Sequence, residues 1–77
     1  MPKTDRELRQ HLLTRDAWTA RDVRTWLKLT GLSKYKARTL LGVTAMTMIK
    51  FSRDGLTETR QRRTVLAMRY LLEHIKH

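Results

Sequence analysis

The chain has 77 residues, with 17 Lys and Arg against 7 Asp and Glu, no cysteine and a formal charge of +10. That length allows one small domain spanning residues 1–77, too thin-cored for a deep two-layered catalytic cleft, and the absence of cysteine excludes disulfides and cysteine-based zinc sites. At 40% hydrophobic residues the chain is too apolar for a disordered basic tail; with no apolar run near the ~20 residues of a membrane span and no signal-like apolar core in its opening MPKTDREL, a cytoplasmic helical domain with a polyanionic partner and no membrane role is expected.

The first element opens at Thr4-x-x-Glu7, a capping-box spacing in which each side chain serves a backbone N–H of the other. Leu8 and Leu12 share a face one turn apart, and a break is expected over Thr14–Trp18. The second element starts at Thr19 with Asp22 three residues on. Trp18 and Val23 stand at the staple positions around that cap, and Val23, Trp26 and Leu27 form the inner stripe up to Gly31. The third runs from its cap Ser33 to Leu41, with Ala37, Leu40 and Leu41 inward. Gly42 permits a tight turn with positive φ. Thr44 then caps the fourth element, Val43 and Met48 staple it, and Met48 and Phe51 face the core until Asp54-Gly55 stops it.

The last element is the longest, about residues 57–76. Val65, Met68, Leu71, Leu72 and Ile75 fall on one stripe at helical spacing. Leu66 and Tyr70 lie about 120° or more away. Either the amino-terminal helix covers that second stripe or a second subunit does. The expected fold is therefore all-α, a compact bundle of about five helices.

The third and fourth elements, joined by Leu41-Gly42-Val43-Thr44, have the makings of a helix-turn-helix over about residues 33–53. Leu41 and Val43 plug the corner, Gly42 turns it and Thr44 starts the second helix, whose outer face is left free for a DNA major groove. The stretch Asp22–Gly55 resembles the Cro/CI-type (XRE) helix-turn-helix repressors of phages and mobile elements. The matching residues are Gly31-Leu32-Ser33, Ala37, Leu40-Leu41-Gly42-Val43-Thr44, Thr47-Met48, Phe51 and Gly55. Thr64–Leu72 is similar to the closing helix of small phage-type regulators, some anti-CRISPR-associated repressors among them. Arg38 departs from the pattern, standing where the family has a small residue. It must snorkel to the surface or hold the two helices further apart.

The resemblance implies base contacts from Thr44, Ala45, Met46, Ile49 and Lys50, and a backbone or base contact from Lys34. Ala45, Met46 and Ile49 suit thymine methyl groups, and Lys50 suits guanine O6 and N7. The other reading buries Met46 and Ile49 against the protein itself. Arg53, Arg60, Arg62 and Arg63 follow, three of them in the first turns of the last element. Cations there oppose the helix dipole unless a phosphate docks at the same end. They are read as a DNA backbone clamp, with Lys36 added, against the alternative of a solvated basic face. Leu66, Tyr70 and Ile75 are the expected dimer interface.

Two further signals are weak. His74-x-x-His77 has a metal-ligand spacing but sits at the carboxyl end beside Glu73 alone. Trp18 and Trp26 could stack RNA bases, although their positions are those of core residues. The acids are scattered and no Gly-rich phosphate loop is present, so no enzyme, cofactor or small-molecule ligand is expected. The leading expectation is a homodimeric repressor that binds a near-palindromic site on double-stranded DNA. The alternatives are a protein-interaction module using the apolar face of the second helix of the motif, and a non-specific nucleic-acid or RNA binder.

Overall fold

Each of the first four helices begins where a hydroxyl side chain can accept the first free backbone N–H groups. In a computed structural model, which describes residues 4–75, Thr4 and Glu7 cap one another at the start of α1 (Asp5–Leu13). Thr19 and Asp22 do the same for α2 (Ala20–Thr30), at 3.0 and 3.2 Å. Ser33 accepts from the Lys36 N–H at 3.1 Å to start α3 (Lys34–Leu41). Thr44 accepts from the Thr47 N–H at 3.1 Å to start α4 (Ala45–Asp54). A 3-10 turn (Thr59–Gln61) then leads into α5 (Arg62–His74). The described residues form an all-helical bundle, and none of its helices is long and apolar enough to cross a membrane.

α2 is the central element and packs on α1, α4 and α5. Its Val23, Trp26 and Leu29 are buried, facing Leu12 of α1, Met48 and Phe51 of α4, and Val65, Met68 and Leu72 of α5 in one core. Both tryptophans are fully buried, as core positions rather than base-stacking ones. A buried indole N–H needs an acceptor. Trp26 Nε1 donates to the Met68 carbonyl at 2.7 Å, and Trp18 Nε1 to the Leu12 carbonyl at 3.2 Å. Two arginines tie helices together in the same manner. Arg9 donates to the Leu72 carbonyl at 2.6 Å, and Arg24 to the Ser52 carbonyl at 3.2 Å. Each guanidinium thereby meets the negative end of another helix.

The last element begins later than its sequence suggests. Leu56 is fully buried and paired with Trp18 in an isolated antiparallel bridge, with N–H to O distances of 2.9 and 2.7 Å. That pairing holds the chain extended just past Gly55. The Gln61 side chain then accepts from the Glu58 N–H at 3.0 Å and closes the 3-10 turn. Arg60 consequently precedes α5 rather than lying in it. The proposed extension to Lys76 lies outside the described residues. Leu40 is a second correction, being 53% exposed instead of inward. Ala37 and Leu41, one turn apart, take the inner side of this short helix, and Leu40 falls past its edge.

Candidate nucleic-acid interface

The turn between α3 and α4 is built from backbone hydrogen bonds around one glycine. Gly42 has φ +70°, the Val43 N–H donates to the Arg38 carbonyl at 3.0 Å, and the Gly42 N–H donates to the Thr39 carbonyl at 3.3 Å. This is the Schellman pattern of a helix end. It reverses the chain within two residues and lets Thr44 open α4 at once. Arg38, half-buried at the end of α3, resolves its awkward position by snorkelling. Its guanidinium carbon lies 4.8 Å from the centroid of the exposed Tyr35 ring.

α4 has two faces of opposite character. Met48, Phe51 and Ser52 are buried. The Ser52 hydroxyl donates back to the Ile49 carbonyl at 2.8 Å, so its polarity is satisfied within the helix. On the other side Met46 is 63% and Ile49 45% exposed, and Thr44, Ala45, Lys50 and Arg53 are exposed with them. At about 100° per residue, Met46, Lys50 and Arg53 lie opposite the buried side, with Ile49 on their flank. The reading that buried Met46 and Ile49 against the protein itself is thereby overturned. All five candidate base-contact residues are exposed, with Ala45 at the start of α4 on the side nearer Ser52.

The surrounding charge is one-sided. Between Asp22 and Asp54 the sequence has no acid and seven cations: Arg24, Lys28, Lys34, Lys36, Arg38, Lys50 and Arg53. The first turns of α3 and α4 hold no acid, whereas those of α1 and α2 do. Lys34 and Lys36 are exposed at the start of α3, where the helix dipole adds to their positive field.

The six candidate backbone contacts do not form one cluster. Lys50 and Arg60 line a groove of about 550 Å³ between α4 and the segment 57–64, together with Thr47, Thr57 and Thr64. Asp54 and Glu58 line it too. Arg53 makes a two-pronged pair with Asp54, at 3.2 Å for each contact, and Arg60 pairs with Glu58. The hydrogen bond, then the charge, of each carboxylate raises the pKa of its arginine. Both pairs are exposed, and surface pairs of this kind hold their partners weakly. Arg62 lies elsewhere, because it points roughly 160° away from the groove-lining Thr64 around α5. Arg63 lies between the two directions.

The candidate interface residues also separate. Leu66 and Tyr70 are 56% and 62% exposed on the outer side of α5, so α1 does not cover them. Ile75 is half-buried just past the helix end, where the backbone has turned extended. The Tyr70 and His74 rings stack with centroids 4.2 Å apart. His77, the second member of the weak metal spacing, lies outside the described residues. Comparison of the chain with family models, curated proteins and solved structures finds no match.

Proposed function

We propose that this protein is a sequence-specific double-stranded DNA-binding repressor that acts as a homodimer on a near-palindromic operator. The observation that carries the reading is the outer face of α4. It is a rigid, capped helix that leads with its amino terminus, is backed by a core and exposes Met46, Ile49, Lys50 and Arg53. A helix so mounted fits the major groove, which admits one helix. Met46 and Ile49 supply apolar contact for thymine methyls, and Lys50 a donor for guanine. Lys34, Lys36 and the loosely paired Arg53 and Arg60 supply phosphate contacts. Repression would be steric, through occupancy of a promoter, and autoregulation follows from the family likeness in Asp22–Gly55.

The test is a gel-shift titration of the intact chain against DNA upstream of its own gene, beside a scrambled duplex, at about 150 mM salt. Preference of roughly a thousandfold for the upstream DNA is the expected result. Equal, salt-sensitive binding to both duplexes would reduce the protein to a general nucleic-acid binder. A second reading draws on the same exposed Met46 and Ile49, which would also suit a partner protein. Such binding would barely respond to salt, whereas DNA binding weakens linearly in the logarithm of salt concentration.

A further inference from the structure

Beyond the α4 surface, one patch of large apolar side chains stands exposed on α5. Leu66 and Tyr70, one turn apart, are 56% and 62% exposed while Val65, Met68 and Leu72 on the other side are buried. The charges around the pair are arranged with it. At about 100° per residue, Arg62 and Glu73 fall within roughly 20° of each other along one flank of the Leu66–Tyr70 stripe. Arg63 and His74 fall similarly close along the other flank. All four are exposed. Arg62 stands one turn before Leu66, and Glu73 about one turn after Tyr70.

We infer that α5 pairs antiparallel with α5 of a second copy of this chain, Leu66 packing on the partner's Tyr70 and Arg62 meeting the partner's Glu73. A two-fold axis across the stripe brings each flank of the helix against the same flank of its copy, with the order of residues reversed. The basic end then faces the acidic end twice. A parallel pairing would set opposite flanks together at the same level, with Arg62 beside the partner's Arg63 and no carboxylate facing either. The charges thus specify both the partner and its direction. On the other flank, His74 lies opposite the partner's Arg63. The tilted His74 ring packs beside Tyr70 next to the contact face. Arg62, which points away from the α4 groove, acquires a role at this contact in place of the phosphate clamp. A 13-residue helix gives a contact at the small end of specific interfaces, so dissociation in the micromolar range is expected.

The inference rests on the homodimer reading but not on DNA binding, because its test contains no DNA. Sedimentation equilibrium of the intact chain, up to about 1 mM, should show a monomer–dimer equilibrium. Arg62→Glu and Glu73→Arg should each raise the dissociation constant roughly tenfold, since each places like charges in contact twice per dimer. The double variant Arg62→Glu/Glu73→Arg should restore association to near the wild-type value. Leu66→Lys should abolish it, with circular dichroism and melting temperature unchanged, since the side chain is exposed in the monomer. A chain that stays monomeric throughout, a dimer indifferent to Leu66→Lys, or a double variant as weak as the single ones would overturn the pairing. Loss of sequence preference in the gel shift would leave it standing.

Discussion

Gly42 and Gly55 both hold positive φ, +70° and +84°, for different reasons. A Cβ on Gly42 would meet nothing within 4 Å, so the demand there is conformational alone. Gly42→Ala should lower stability by about 1–2 kcal/mol, read from urea denaturation, with Gly42→Asn losing less. A Cβ on Gly55 would lie 2.6 Å from the Trp18 carbonyl oxygen and 2.7 Å from the Ala20 nitrogen, both backbone atoms that cannot turn aside. Gly55→Ala should therefore cost more than about 3 kcal/mol, and equal losses for the two glycines would refute this assignment. Among the cations, Lys50 and Lys34 should differ in kind. Lys50→Ala should weaken the specific duplex by about 1–3 kcal/mol while sparing the scrambled one. Lys34→Ala should weaken both and flatten the salt slope by about one.

Helices α2 and α5 are joined by the buried Trp26–Met68 hydrogen bond as well as by apolar packing. Trp26→Phe keeps much of the ring but removes the donor, and should cost about 1–3 kcal/mol in thermal or urea unfolding. A loss no larger than that of an exposed substitution such as Tyr35→Phe would mean that the bond contributes nothing. The caps and glycine stops of α1–α4, and their inner residues apart from Leu40, were legible in the sequence because each is a local signal, spaced within one or two turns. Leu56 was not, as it lies between a glycine and a polar run and belongs to no periodic pattern. Its burial comes from pairing with Trp18, far away in the chain. The acceptors of Arg9 and Arg24 were not legible for the same reason, being carbonyls of other helices. Within the candidate site, the buried side of α4 followed from helical spacing and the candidate contacts from the family resemblance, but the separation of Arg62 from Arg60 followed from neither. The 3-10 turn before α5 decides that separation, and its cause is tertiary.

Taken whole, the chain carries +10 formal charges in a body with a radius of gyration of 11.5 Å. Self-repulsion on that scale destabilises the compact state, and salt screens it over a Debye length of about 10 Å at 0.1 M. Raising salt from about 50 to about 300 mM should therefore raise the melting temperature while weakening DNA binding. A melting temperature that falls over that range would show that the ion pairs outweigh the excess charge. The Trp18–Leu56 bridge adds a mechanical consequence. Its paired hydrogen bonds join the two ends of the segment that contains α2, α3 and α4, so tension applied through either terminus reaches this clasp before it reaches the turn at Gly42. A load hung on α1 or α5, such as a fused domain, pulls along these two hydrogen bonds, and the grip of α3 on α4 stays slack.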